Sequence, residues 1–326
     1  RALLGLKDTH PEVGVTWDGE VLSRWPVRFS FGEPAEALSK YRDTVNRRLI
    51  DGWRPGTVVT GRIGDLHVTE SVFVSFADAA RTQPALFMRL ELENLSGVPL
   101  ATQVRAAVAA EAAEWGLRNG RLTADGRVLL LTPPNGTGER GQVRVPVEVP
   151  AQQTVMLDFV QPFGQAPGPE AAAVLKSADF AAALATFRAY WDEILAPAAV
   201  MEVPEAQVNR MYRAILAQLF VNADGDVMPY GADPGVYSGN LYGVEEGYAM
   251  MALAQAGFGA DAQRYMDGTY LTPEFLVKVD KYTKYADRHQ QYRNGLQPHY
   301  AASAYRVSRD RAWIEQHLPL IRECAE

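Results

Sequence analysis

The chain has 326 residues, a mass of 35.9 kDa and a formal net charge of −7, a length that accommodates two domains with ordinary hydrophobic cores. The acidic balance argues against nucleic acid as a partner, because phosphate binding needs a basic surface, and no apolar run is long enough to cross a membrane. The single cysteine, Cys324, excludes an intramolecular disulfide framework and a cysteine-based zinc site.

The first half of the chain consists of short runs with the alternation that is typical of antiparallel strands. Asp18-Gly19, Asn119-Gly120 and Asp125-Gly126 indicate hairpins, because both central residues of a type I′ turn need positive φ. Many short strands separated by such turns favour a β-sandwich. The predicted strands cover residues 13–17, 22–31, 58–63, 66–76, 85–93, 100–110, 128–132, 143–149 and 155–160.

Two segments depart from this pattern. Residues 34–50 have helical spacing and predict a packed insertion or a helix across a sheet edge. Residues 161–170 are rich in proline, glycine and glutamine, which predicts a linker. The period changes near Pro169, and helical spacing continues from there to the last residue.

The helical half begins with apolar residues at alternating steps of four and three. Pro204-Glu205 is a start signal for the next helix, and Gly257 is a natural residue to follow the end of a third. Further helices are predicted over residues 260–270, from Thr272-Pro273-Glu274 onward, over 297–307 and over 309–326, the last capped by Ser308. The first helix presents Phe180, Leu184, Phe187, Trp191 and Ile194 on one face, and the second presents Val208, Tyr212, Ile215 and Leu219.

A long loop over residues 222–243 separates two of these helices. Loops of this length inside compact domains are usually functional. Its tyrosines and carboxylates suit a carbohydrate site, in which aromatic faces stack on sugar C–H surfaces and carboxylates accept hydroxyl hydrogen bonds. Asp224 and Asp226 lack the remaining ligands of a calcium loop, so no metal is predicted. The candidate sugar-binding residues of this loop are Tyr230, Tyr237 and Tyr242, followed by Glu245 and Glu246 at the start of the next helix.

A second polar loop is predicted over residues 287–296, before the helix that carries Gln297 and His299. Tyr292, Arg293, Gln297 and His299 are its candidate sugar-binding residues. No carboxylate–His helical spacing supports a metal site here. The sequence contains no P-loop, dinucleotide fingerprint or nucleophile elbow in a strand-to-helix setting, so no cofactor is predicted.

Three local patterns accompany the order of strands first and then helical hairpins. They are Tyr190-Trp191-Asp192 before Val203-Pro204-Glu205, Leu241–Glu246 with Ala252–Gly257, and Tyr305–Asp310 with Leu318–Ile321. Together with the order of segments, they resemble the six-hairpin glycosidases. The second pattern departs from that family, which has an arginine at the position of Val244 and an aspartate at the position of Glu245.

This resemblance implies an α+β multidomain fold, with an antiparallel β-sandwich followed by helical hairpins of a partial (α/α)6 barrel. The expected boundaries are 1–165 for the sandwich, 166–200 for a linker helix and 201–326 for the first part of the barrel. The predicted hairpins make only about half of such a barrel, and an open toroid exposes a broad apolar wall. We therefore expect the remainder of the barrel to come from the same or another chain.

The resemblance also implies a glycoside hydrolase, of the inverting type, acting on an oligo- or polysaccharide. In similar families the general acid and base fall at or beyond the position of Glu326, so the catalytic pair is expected outside this chain. Glu245 is the one catalytic candidate inside it. Glu245 and Glu246 point about 100° apart on a helix, so only one faces the axis, and both also complement the helix dipole.

Two alternatives stay open. A glycoside phosphorylase on the same scaffold needs a basic phosphate pocket, to which Arg293 is the one candidate contributor. A non-catalytic carbohydrate-binding or scaffold protein is the other. Neither the sugar nor the compartment, whether bacterial secreted, periplasmic or cytoplasmic, follows from the sequence.

Overall fold

The computed structural model describes residues 1–10, 13–164, 169–231, 245–272 and 290–325. The chain divides into two compact units. The first contains Arg1–Gly5 and Glu12–Asp192, and the second contains Leu6–Pro11 and Glu193–Glu326. All described strands belong to the first unit, whereas the second is built from helices and a short N-terminal segment.

The first unit contains two antiparallel sheets. The seven-stranded sheet has the order β1-β2-β3-β4-β9-β14-β13, and the eight-stranded sheet has the order β10-β11-β12-β15-β8-β7-β6-β5. The strands are β1 Ala2–Leu4, β2 Val13–Val15, β3 Val21–Leu22, β4 Val27–Phe31, β5 Asn46–Ile50, β6 Arg54–Ile63, β7 Leu66–Phe76, β8 Pro84–Asn94, β9 Leu100–Val108, β10 Trp115–Arg118, β11 Arg121–Ala124, β12 Arg127–Leu131, β13 Thr137–Glu139, β14 Gln142–Val149 and β15 Thr154–Pro162.

The core lies between the two sheets and follows from the strand period of two. In β14 every second residue, from Val143 to Val149, is buried while its neighbours are exposed. Phe29 of the first sheet contacts Phe159 of the second, with ring centroids 5.0 Å apart. The two sheets therefore form a sandwich with a shared apolar interior.

The other face of the eight-stranded sheet is covered by two helices, α1 Pro169–Ser177 and α2 Phe180–Ile194. Phe73 of β7 contacts both Phe180 and Phe187 of α2 at 5.1 Å between ring centroids. The hydroxyl of Ser75 donates to the backbone carbonyl of Ala183 at 2.9 Å. Strands β7 and β8 are buried on both faces at this end because α2 packs against them.

One carboxyl group lies inside the sandwich. Glu70 of β7 is 2% exposed, and its Oε1 atom has no hydrogen-bond partner among the described residues. Burial, followed by the charge of Asp18, raises the pKa of Glu70 well above its usual value. A side chain at Gly19, which has φ +92°, would overlap the Glu70 carboxyl group, so this turn accepts only glycine.

The predicted strand regions are confirmed with one exception: the single strand predicted over 22–31 is two strands, β3 Val21–Leu22 and β4 Val27–Phe31. The sandwich also contains strands that the pattern did not predict, namely β1, β5, β10, β11 and β13. The helical prediction over 34–50 is wrong, because only Leu38–Thr44 forms a 3-10 helix and Asn46–Ile50 is a strand. The predicted linker over 161–170 starts too early, because β15 continues to Pro162. Asn119-Gly120 and Asp125-Gly126 have positive φ at both residues, but at Asp18-Gly19 only Gly19 does, so that turn is not type I′.

The described helices of the second unit are α3 Ala206–Asn222, α4 Glu245–Gln255, α5 Gly259–Thr269, α6 Gln290–Ser308 and α7 Arg311–Ala325. α4 packs against both α5 and α6, and α6 packs against α7. α4 ends in a Schellman motif, with the Phe258 amide donating to Leu253 at 2.9 Å and Gly257 at φ +101°. None of the helices in the described ranges is long and apolar enough to span a bilayer.

The segment Leu6–Pro11 packs within the helical unit although it lies at the start of the chain. The Asp8 amide donates to the Phe220 carbonyl at 3.0 Å, and the His10 amide to the Ala223 carbonyl at 2.8 Å. Arg264 of α5 forms ion pairs at 2.7 Å with both Asp8 and Asp226. This segment therefore fixes the end of α3 to α5.

Three helix predictions are corrected. The residues of α3 that are buried are Leu216, Ala217, Phe220 and Val221, whereas Ile215 of the predicted face is 52% exposed. The cap of α7 is Asp310, whose Oδ1 accepts from the Trp313 amide at 3.0 Å, and Ser308 is instead the last residue of α6. The predicted loop over 287–296 is wrong from Gln290 onward, because α6 begins there and carries Pro298 inside it. The helix predicted from Thr272 onward lies outside the described residues beyond position 272.

Candidate functional site

The N-terminal end of α4 lies beside the C-terminal end of α5 and the middle of α6. Tyr270, which follows α5, donates its hydroxyl to Oε2 of Glu246 at 2.9 Å and accepts the Gly247 amide at 3.1 Å. The Gly247 amide is one of the N–H groups that the first turn of a helix leaves without an intrahelical partner. Gln297 of α6 donates its Nε2 to the Tyr270 carbonyl at 2.6 Å. We call these residues, with Tyr300, the helix-end cluster.

The cluster is held together by a close approach of α6 to α4. The ring of Tyr300 stacks on that of Tyr270 at 5.2 Å between centroids and an interplanar angle of 27°. A Cβ atom at position 247 would lie within 2.5 Å of three ring carbons of Tyr300. Only glycine at 247 therefore allows Tyr300 to occupy this position.

Both buried phenols of the cluster stay protonated at neutral pH. Burial, followed by the charge of Glu246, raises the pKa of Tyr270 well above its usual range. Burial also raises the pKa of Tyr300, with Tyr248, Glu246 and Glu245 adding to the effect. The Tyr270 hydroxyl is thus a neutral donor that satisfies the enclosed Glu246 carboxylate.

Exposed residues surround the cluster. Glu245 is exposed at the first turn of α4, and Tyr248 is 56% exposed one turn further on. Residues three apart lie on the same face of a helix. The Tyr248 ring meets the Tyr300 edge at 5.9 Å and 79°, and the exposed His299 lies 5.5 Å from Tyr300. An aromatic side chain, a carboxylate and an imidazole thus reach solvent around one buried ring.

A second segment lies against the end of α5. The Met228 amide donates to the Thr269 hydroxyl at 3.0 Å, and the Asn222 side chain donates to the Pro229 carbonyl at 2.7 Å. Tyr230, which follows, is 41% exposed. This described part of the first predicted loop therefore lies beside the C-terminal end of α5, next to Tyr270.

The structure separates the two predicted glutamates: Glu246 is buried and bonded to Tyr270, and Glu245 is exposed. Gln297 is buried in the helix-end cluster, and His299 lies at its edge. The backbones of Tyr292 and Arg293 lie in α6, but their side chains fall outside the described residues, as do Tyr237 and Tyr242 entirely.

Sequence reasoning missed Tyr248, Tyr270 and Tyr300. Tyr248 could have been predicted from the sequence, because a residue three positions after Glu245 lies on the same helix face. Tyr270 and Tyr300 could not have been predicted in this way, because their contacts with Glu246 and Gly247 join parts of the chain that are distant in sequence.

Asp226, a residue of the Asp-Gly-Asp turn, is engaged with Arg264 at 2.7 Å. Among the residues that the structure describes, no group of three or more histidine, cysteine or acidic side chains has a geometry suited to a metal ion. The described side chains at the end of α4 supply carboxylates, phenols, an amide and an imidazole.

The amino-acid sequence matches no protein-family model and no curated protein. Among solved structures, a candidate kojibiose phosphorylase from the human microbiome aligns with 95% of this chain at 8% identity and a TM-score of 0.52. The GH92 family glycosyl hydrolase ccman5 aligns with 83% of this chain at 13% identity and a TM-score of 0.19, which is too low to indicate a common fold. The chain spans about half of each protein, 50% and 46% respectively. The described elements of this chain confirm the predicted order of a β-sandwich followed by helices, and the first match supports this fold.

Proposed function

We propose that this chain forms the sandwich and part of the substrate crevice of a glycoside hydrolase acting on an oligo- or polysaccharide. The observation that carries the proposal is the end of α4, where the exposed residues Glu245 and Tyr248 lie beside the buried helix-end cluster. The fold supports it as an analogy, since fold alone does not determine function. The helices of the second unit are, in this proposal, the first hairpins of an (α/α)6 barrel.

Tyr248, Glu245 and Glu246 have different roles in the proposed sugar binding. Tyr248 presents a ring to solvent and offers a stacking surface for the C–H face of a sugar. Glu245 accepts hydroxyl hydrogen bonds one turn away on the same helix face. Glu246 is a positioning residue, because its carboxylate is bonded to Tyr270 inside the cluster. The acid and base that break the glycosidic bond are supplied by the remainder of the barrel.

A glycoside phosphorylase is the second candidate, because the solved structure with the TM-score of 0.52 is described as one. The two functions use the same sugar subsites and differ in the nucleophile, which is water or inorganic phosphate. Arg293 is the proposed contributor to a phosphate pocket, although its side chain is outside the described residues.

The test is a panel of oligosaccharides incubated with the full-length protein, with and without inorganic phosphate. Phosphate-independent release of reducing sugar supports the hydrolase, and sugar phosphate formed only with phosphate supports the phosphorylase. Binding without turnover supports the non-catalytic alternative. Absence of both binding and turnover across the panel refutes a carbohydrate function.

Four variants locate the site. Tyr248→Ala is expected to weaken binding by about two- to tenfold, the equivalent of ~0.5–1.5 kcal/mol for one aromatic contact, and Glu245→Gln to weaken it by a similar factor. The matched controls are Met211→Ala, which removes a side chain that is 55% exposed on α3, and Glu323→Gln on α7. Equal effects in the controls would contradict a site at the end of α4.

A further inference from the structure

The β-sandwich carries a cluster of positive charge although the chain as a whole is acidic. Residues 115–145 contain five arginines and only two acidic residues, in a protein with a formal net charge of −7. A groove of about 470 Å³ opens at the end of this region beside the hairpin of β10 and β11. We call it the basic groove, and its lining residues include Gly116, Arg118, Asn119, Arg121, Thr123 and Lys176.

The register of the hairpin explains why the arginines converge. Arg118 and Arg121 flank the Asn119-Gly120 turn and stand directly opposite each other, as do Gly116 and Thr123. Directly opposed residues of an antiparallel pair project from the same face of the sheet. Because Gly116 has no side chain, the face beside the two arginines stays open. α1 adds Lys176 from its last turn.

This arrangement has an energetic cost in the unliganded protein. Like charges directly opposite each other on a sheet are destabilising. In the part of the chain that the structure describes, Arg118, Arg121 and Lys176 have no acidic partner. The buried Nε atom of Arg121 also has no hydrogen-bond acceptor among the described residues. Among the residues that the structure describes, those that line the groove include no aspartate or glutamate. A bound oxyanion would neutralise the opposed charges of Arg118 and Arg121.

We infer that the basic groove is a binding site for an acidic saccharide, held through a sulfate, phosphate or carboxylate group. Two guanidinium groups on one face suit an oxyanion, because arginine donates two parallel hydrogen bonds to such groups. The negative net charge of the chain opposes nonspecific anion binding, so affinity depends on the local cations. The oxyanion part of this inference is independent of the proposed function, and the saccharide part rests on it.

Calorimetric titration of the full-length protein tests the inference with three probes: a sulfated oligosaccharide, its desulfated counterpart and inorganic sulfate. We expect the sulfated oligosaccharide to bind, more weakly as salt is raised, and the desulfated one to bind at least about tenfold more weakly at this groove. Equal affinity for the sulfated and desulfated forms would overturn the inference. Inorganic sulfate binding as tightly as the sulfated oligosaccharide would overturn the saccharide assignment.

Charge-matched variants assign the binding to the groove. Arg118→Gln with Arg121→Gln is expected to weaken binding of the sulfated oligosaccharide by about tenfold or more. The control, Arg48→Gln with Arg210→Gln, removes the same charge from exposed positions outside both the groove and residues 115–145, and is expected to change affinity less than about twofold. Arg118→Lys with Arg121→Lys keeps the charge but loses the paired donors, and intermediate affinity is expected. Equal losses in the groove and control pairs would refute the site.

The outcome is separable from the proposed function. The glutamine pair in the groove is expected to turn over neutral oligosaccharides at the wild-type rate. Activity on neutral oligosaccharides without anion binding would overturn only the basic groove. Oxyanion binding without activity on any saccharide would contradict only the proposed enzyme.

Discussion

Gly247→Ala is the most informative single substitution in the helical unit. A Cβ atom at this position would lie within 2.5 Å of three carbons of the Tyr300 ring, whereas ordinary contacts are 3.4–4 Å. The ring must therefore move by about 1 Å, away from its stacked position on Tyr270. Such overpacking costs about 1–3 kcal/mol, and loss of an aromatic pair adds about 0.5–1.5 kcal/mol. The better helix propensity of alanine offsets about 1 kcal/mol.

We expect Gly247→Ala to lower the free energy of unfolding by about 2 kcal/mol, measured by urea denaturation followed by circular dichroism at 222 nm. Gly295→Ala is the matched control, because Gly295 lies inside α6 and a Cβ there would have no atom of the described residues within 4 Å. That control is expected to stabilise α6 by about 0.5–1 kcal/mol.

A double substitution isolates the contact. In a Tyr300→Ala background the obstructing ring is gone, so Gly247→Ala is expected to become neutral or stabilising. If Gly247→Ala is as stable as wild type, or if its cost persists when Tyr300 is removed, the close approach of α6 to α4 is not what determines glycine at this position.

Three other substitutions test the packing of each unit. Phe73→Ala is expected to lower the unfolding free energy of the sandwich by about 3–5 kcal/mol in urea denaturation, because the buried ring contacts Phe180 and Phe187 of α2. A loss below about 1 kcal/mol would contradict that packing. The pKa of Glu70 is raised in the folded state, so its contribution to stability is complete below the unfolded-state pKa near 4.5 and is lost as the pH rises. Glu70→Gln is therefore expected to become progressively more stable than wild type above that pH. Parallel curves of unfolding free energy against pH for the two proteins would refute a buried acid. Asp8→Asn is expected to lower the free energy of unfolding by about 1 kcal/mol in thermal unfolding, because the Asp8 carboxylate accepts a hydrogen bond from Tyr265 and forms an ion pair with Arg264. The control Asp65→Asn, at an exposed carboxylate, is expected to change stability by less than about 0.5 kcal/mol.

Local chemistry explains what could be predicted of the fold. The alternation in β14 and the positive-φ residues at Asn119-Gly120 determine a strand and a hairpin from a few neighbouring residues. The Gly257 stop of α4 is equally local. Short strands such as β10 and β13 were missed because a run of three or four residues is too short to show a period.

Helix faces were harder to predict, because α3 is apolar on more than one side. Both the predicted set that includes Ile215 and the buried set that includes Phe220 satisfy the spacing. Which set is buried depends on partners such as Phe258, whose ring lies 4.9 Å from that of Phe220, and on the N-terminal segment whose Asp8 amide bonds to the Phe220 carbonyl. No local pattern contains that information.

The candidate site also has one part that the sequence predicts and another that depends on tertiary contacts. The sequence by itself determined that Glu245 and Glu246 begin a helix and point in different directions. Only the tertiary structure decided that Glu246 is buried and Glu245 exposed, because Tyr270 and Tyr300 reach the start of α4 from α5 and α6. Periodicity records which residues share a face, but the partner that covers the face comes from contacts between segments far apart in the chain.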